Sequence, residues 1–290
     1  MHAGNLRGIA AMLAAVGFFS VMDAVMKLLA AHYPPAQVTA LRGLTALPLV
    51  LAFVLWRGEA ATVWRVRWPL HLLRGVVMVL MLTLFAFALQ TLPLAESYTI
   101  FFIAPLLITV LAGPVLKEKV RAAHWAAIAL GFAGVLIALR PAQDALLSLG
   151  ALAVLAAALC YALSAVVGRV LTRTDSSASL VLWSTLALAV GGVALAAPAW
   201  RTIAPDHWAL LAALAITGFA GQLSITEAFR HGQAAVVAPF EYTALAWGVA
   251  LDWLLWHTLP DGYTLLGGAV IVAAGLFLLR AERAQPALPP

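Results

Sequence analysis

Charge is scarce in this chain: 10% of its 290 residues are Asp, Glu, Lys or Arg, where soluble globular domains carry about 25%. With a hydrophobic share of 64%, that scarcity excludes a water-soluble globular fold. Cysteine is nearly absent. Cys160 stands alone, so there is no intrachain disulfide and no thiolate cluster for a metal or redox centre. Catalytic signatures are missing too: no Gly-x-x-x-x-Gly-Lys-Ser/Thr run for a nucleotide, no His-Glu-x-x-His, no Gly-x-Ser-x-Gly elbow. The expectation is no enzyme, no catalytic residue, no metal, no cofactor and no ATP drive within the chain. A channel filter loop or ring of equivalent carboxylates is also lacking.

What is present is apolar sequence in long runs. Ten stretches, near 8–30, 36–56, 70–89, 95–116, 122–139, 147–168, 177–199, 208–229, 234–256 and 262–280, approach the roughly 20 residues of helix that cross a bilayer. They are continuously apolar rather than alternating, which excludes a transmembrane β-barrel. The first run exceeds a typical signal-peptide core and holds Asp23 and Lys27, so it is expected to remain as a span. The predicted fold is all-α and integral to the membrane, with ten helices and short connections.

The net charge of +5 does not point to nucleic acid, because the cations are sorted by side. With a cytoplasmic N-terminus, the inner set is Arg7, Arg57, Arg65, Arg67, Arg74, Lys117, Lys119, Arg121, Arg169, Arg173, Arg230, Arg280 and Arg283. Only Lys27, Arg42, Arg140 and Arg201 fall outside. That bias predicts both termini in the cytoplasm of a bacterial inner membrane. The lipid bilayer and a small-molecule substrate are the expected partners, with protons a further candidate, and the chain is expected to act as a monomer.

The sequence is also duplicated. Gly8-Ile-Ala-Ala-Met-Leu-Ala-Ala15 matches Gly150-Ala-Leu-Ala-Val-Leu-Ala-Ala157, and in the same register Phe19 falls on Tyr161 and Lys27 on Arg169. Gly134-Val-Leu-Ile-Ala-Leu139 matches Gly275-Leu-Phe-Leu-Leu-Arg280. The predicted repeats are 1–141 and 142–290, five helices each. Five is odd, so the second copy enters from the opposite face and the repeats are inverted, which is the geometric basis of alternating access in secondary transporters.

Several segments carry a family resemblance: Phe18-Phe-Ser-Val-Met-Asp-Ala-Val-Met-Lys27, Tyr33-Pro-Pro35 with Arg42, Ala104-Pro105, Lys117-Glu118-Lys119 and Ala238-Pro-Phe-Glu-Tyr-Thr243. The chain resembles EamA-type members of the drug/metabolite transporter superfamily over nearly its whole length. The resemblance implies export of amino acids and related metabolites, or uptake of nucleosides, sugars or S-adenosylmethionine. One departure stands out. Where the family repeats a Gly-Glu pair after helix 9, this chain reads Trp256-His257-Thr258, leaving Asp261 as the acid able to stabilise that turn.

Candidate residues follow from the cost of charge in lipid. Asp23 and Lys27 share a helical face at i,i+4 spacing, and Arg42 enters helix 2 at similar depth. The three form either an outer gate or carboxylate site, or a fixed ion-pair cluster tying helix 1 to helix 2. Glu241 lies about 12 Å into helix 9, two residues after Pro239. It either binds a proton or ammonium group or bonds neighbouring helices. Tyr98, Tyr242, Trp183 and Trp247 complete the proposed substrate-binding set. The last two do not fit the interfacial belts formed by Trp56, Trp64, Trp68 and Trp125 on one side and Trp200, Trp208, Trp253 and Trp256 on the other. These rings form either an aromatic wall for an apolar group or ordinary core packing. The expected activity is transport of small zwitterionic or partly apolar metabolites, foremost amino acids, out of the cytoplasm.

Overall fold

The computed structural model describes residues 3–60, 62–104, 106–108, 110–111, 122–139, 148–171, 174–231 and 238–283. Pro105, Lys117, Glu118, Lys119, Arg121, Arg140 and Arg173 lie outside them. The helices are α1 (Ala3–Ala30), α2 (Pro35–Trp56), α3 (Trp68–Ala88), α4 (Leu94–Phe101) and α5 (Ala122–Leu139). They continue as α6 (Leu149–Leu171), α7 (Ser177–Ala196), α8 (Trp208–His231), α9 (Ala244–Trp256) and α10 (Gly262–Arg283). No strand occurs among the described residues. Helix is what an apolar environment demands, since it satisfies backbone donors and acceptors within the segment. Pro35 starts α2 and Pro69 sits in the first turn of α3, where a missing N–H costs nothing. Ser176 caps α7 by accepting from the Ser179 amide at 3.2 Å. Asp261 caps α10 by accepting from the Thr264 amide at 2.7 Å.

Among the described residues, six helical segments are long and apolar enough to cross a membrane: Leu6–Ala30, Pro35–Trp56, Trp68–Ala88, Leu149–Gly168, Ser177–Ala199 and Pro205–Ile225. Two of the ten expected spans depart from a single continuous α-helix. The fourth opens as α4, only eight residues long. Its ladder tightens where the Ile103 amide bonds Ile100 instead of a residue four back, and helical backbone resumes at Ala104. In the ninth, a six-residue 3-10 segment, Ala238–Thr243, precedes the 13-residue α9. Pro239 supplies no N–H to an α-helical ladder. Glu241 and Tyr242 therefore sit on the tighter helix, and Trp247 is the fourth residue of α9 rather than midway along a longer one.

The chain forms two compact units, and neither is a half of the sequence. The first comprises Met1–Ser20, Pro93–Ser148 and Gly221–Pro290; the second comprises Val21–Leu92 and Leu149–Ala220. Each draws helices from both halves.

In the second unit α2 packs most extensively on α7, and α3 on α6 and α7. Small residues permit this closeness. A Cβ on Gly43 would collide with the Ala189 backbone, and one on Gly192 would lie 2.6 Å from the Ala40 backbone. Farther along, Gly75 meets Ala187 and Gly191 meets Val79. Val50, Val54, Val63, Ala178 and Leu182 form a buried cluster. One end is closed by polar bonds: Gln37 Nε2 donates to the Arg201 carbonyl at 2.6 Å, and the Arg201 amide donates back to Gln37 Oε1 at 2.9 Å.

In the first unit α5 runs along α10, with Gly134 against Ile271 and the Gly267 carbonyl. Met12, Val16 and Ala228 form a buried cluster that Phe240 and Ala244 cover. Asp252, 1% exposed, accepts from the Leu94 amide at 3.0 Å and the Ala95 amide at 2.8 Å. A carboxylate on α9 thus caps α4, satisfying two amides that the helix itself leaves orphaned.

Candidate functional site

Four of the five candidate substrate-binding residues lie in the first unit, on neighbouring elements. Tyr98 on α4 is buried, and its ring rests where a Cβ on Gly248 of α9 would stand, 2.8 Å from Cδ2. Phe102, one turn beyond Tyr98, meets Tyr242 edge to face at 5.2 Å. Trp247 lies over Gly17 of α1, whose Cβ would stand 3.3 Å from the indole Cζ2. It is nevertheless 42% exposed, so one face of the indole is covered and much of the ring is open. Glu241 precedes Tyr242 and is half-buried. Among the described residues it has no hydrogen-bond or ion-pair partner. An acid at the start of an apolar helical segment, next to Tyr242 and without a salt-bridge partner among the described residues, can receive a proton or an ammonium group.

Trp183 is placed differently. It belongs to the second unit, where its Nε1 donates to the Val63 carbonyl at 2.7 Å. Its ring packs on Trp64 at 5.4 Å and Trp68 at 4.4 Å. The three indoles and this hydrogen bond tie α7 to the connection before α3.

Asp23, Lys27 and Arg42 also lie in the second unit, all partly buried. Arg42 is within electrostatic reach of Asp23, which joins α2 to α1. The geometry suits an ion-pair cluster, and it equally leaves charge available for a gate.

Three features escaped the sequence reading. Asp252 was hidden inside an apolar run, and only its position four residues before the end of α9 could have marked it as a cap for another helix. His71 and Asp175 form a buried pair, Nε2 to Oδ2 at 2.8 Å, with side chains 3% and 2% exposed. Asp175 Oδ1 also accepts from Thr174 Oγ1 at 2.6 Å, and Oδ2 from the Arg67 amide at 3.3 Å. Burial pushes this carboxyl up, but the hydrogen bonds from Thr174, His71 and Arg67, with the nearby imidazole, outweigh it and hold the group below its ordinary range. The third feature is Arg74. It counts among the cytoplasmic cations by sequence, yet it stands inside α3 with its side chain turned onto α7.

With this geometry in place, comparison with known proteins decides the family. A model of the EamA-like transporter family matches residues 6–140 and again 148–280. The chain belongs to the EamA-like transporter family. The pseudopaline exporter of Pseudomonas aeruginosa is 28% identical to this EamA-like protein, over 91% of this chain and 93% of its own length. The riboflavin transporter of Vibrio cholerae is 27% identical over 96% and 94%. The S-adenosylmethionine uptake transporter of Rickettsia conorii is 25% identical, also over 96% and 94%. A crystal structure aligns with TM-score 0.68 at 21% identity, covering 97% of this chain and 100% of that one, which supports the fold. This EamA-like chain is therefore a multi-pass membrane protein with a transport role, not an enzyme, and a small molecule is its cargo.

Proposed function

We propose that this EamA-like protein carries small zwitterionic or partly apolar metabolites, foremost amino acids, out of the bacterial cytoplasm by alternating access. On this reading it sits in the inner membrane as a monomer, with ten spans in inverted repeats over 1–141 and 142–290 and both termini inside. The observation that carries the proposal is Glu241: an acid in an apolar segment, unpaired among the described residues, adjoining Tyr242, whose ring meets Phe102. An ammonium group can pair with the carboxylate while an apolar side chain lies on the rings. The same carboxylate can take a proton when the substrate leaves, which makes proton coupling the natural drive. Asp23, Lys27 and Arg42 serve as gate or brace.

The test is transport by wild type and Glu241→Gln in proteoliposomes across pH. The variant should fold, transport more slowly and lose the pH dependence of the wild type. Equal rates and equal pH profiles would remove Glu241 from the mechanism. A second reading, uptake or exchange of a larger metabolite, is favoured by the relatives named for riboflavin and S-adenosylmethionine. Inverted repeats permit either direction.

A further inference from the structure

Among the described residues, Arg74 has no ion-pair partner. It lies six residues into α3, about 9 Å along the helix axis from Trp68. Its Nη1 donates to Ser184 Oγ at 2.7 Å and to the Leu180 carbonyl at 3.3 Å, both on α7. Its Nε is buried with no hydrogen-bond partner. Beside it, Gly168 of α6 packs against the guanidinium, since a Cβ there would stand 3.4 Å from Nε and 3.9 Å from Nη2. Tyr161 of α6 is within electrostatic reach. Three of the four acids of this unit are engaged elsewhere: Glu59 pairs with Arg57, Asp175 with His71, and Asp23 lies near Arg42. Asp206 stands in the 3-10 turn Pro205–His207. A guanidinium in a span, bonded among the described residues only to neutral acceptors, is costly unless something anionic visits it.

We propose that Arg74, flanked by Ser184 and the bare Gly168, is a subsite for the carboxylate of a small solute. The planar fork of a guanidinium suits two carboxylate oxygens, and Arg74 as a residue is only partly buried. This deepens the transport reading by assigning an acid group to the substrate, and it rests on that reading only for the claim that the bound solute is then carried.

The test is therefore a binding measurement on the purified full chain in detergent. Melting is followed with sodium butyrate against butyramide plus sodium chloride at equal ionic strength. Wild type should melt about 3 °C higher in saturating butyrate than in the amide. Arg74→Gln should show no difference, and Arg74→Lys, which keeps charge without the fork, a reduced one. If Arg74→Gln does not fold, Arg74→Lys decides: a shift as large as that of wild type would overturn the proposal. So would equal melting of wild type in acid and amide, or a shift retained in folded Arg74→Gln. A shift given by phosphatidylglycerol but by no soluble carboxylate would overturn it too, since the site would then hold a lipid headgroup. Counterflow is scored separately. An Arg74-dependent butyrate shift in a protein that exchanges no solute would leave the subsite standing and sink the transport reading. Exchange without the shift would do the reverse.

Discussion

Gly43 of α2 and Gly192 of α7 stand in reciprocal register: a side chain on Gly43 would strike Ala189, three residues before Gly192, and one on Gly192 would strike Ala40, three residues before Gly43. Exchanging the two helices maps the contact onto itself. A local two-fold relation produces this pattern, and α2 and α7 are the second helices of the two proposed repeats. Overpacking a tight interface costs about 1–3 kcal/mol, and more where backbone is struck. Gly43→Ala and Gly192→Ala should each lower the melting temperature or abolish folded protein by size-exclusion chromatography. Gly262→Ala, where a Cβ meets nothing within 4 Å, should be tolerated.

Asp252 holds the start of α4 from another helix. Asp252→Ala leaves the buried Leu94 and Ala95 amides without their acceptor, at a cost of about 2 kcal/mol or more. Asp252→Asn keeps one acceptor oxygen and should lose less. The melting temperatures of the two variants check the order.

His257 closes α9 with φ 54°, the left-handed conformation that glycine adopts without strain. Its amide bonds the Trp253 carbonyl at 3.1 Å, so the turn is needed and the side chain is the misfit. His257→Gly should raise stability by about 1 kcal/mol. A lower melting temperature would show that the imidazole contributes more than the strain it imposes.

Asp175 predicts an acid limit. Its carboxyl is held below the ordinary value of 3.8 in the folded state, so its contribution is complete above that value and fades as pH falls below it. Melting of wild type should therefore decline below about pH 4 more steeply than that of Asp175→Asn, which lacks the ionising group. Parallel curves would show that Asp175 does not set the limit.

Much of the architecture was legible in the sequence, because hydropathy and helix length depend on local composition. Among the described residues six of the apolar runs are helices long enough to cross a membrane, and the duplicated glycine-led segments fall in α1 and α6 and in α5 and α10. The interruptions were harder. Pro239 signalled a break, yet only tertiary packing fixed a 3-10 turn on its C-terminal side. Partners were harder still. Trp183 stood out because it fell outside the belts, but the sequence did not show that its indole reaches the Val63 carbonyl, 120 residues away. Asp252 and Arg74 carry the same lesson: a charge's meaning depends on which distant helix lies beside it, and a single sequence does not record that.

The most direct measurement of the central claim is counterflow in proteoliposomes of purified protein, loaded in turn with unlabelled amino acids, riboflavin, nucleosides and sugars. The account predicts transient, saturable accumulation of one labelled amino-acid group, competed by its chemical neighbours. Accumulation of riboflavin or a nucleoside alone would contradict the proposed cargo, and no counterflow of any solute by well-folded protein would contradict the carrier mechanism itself.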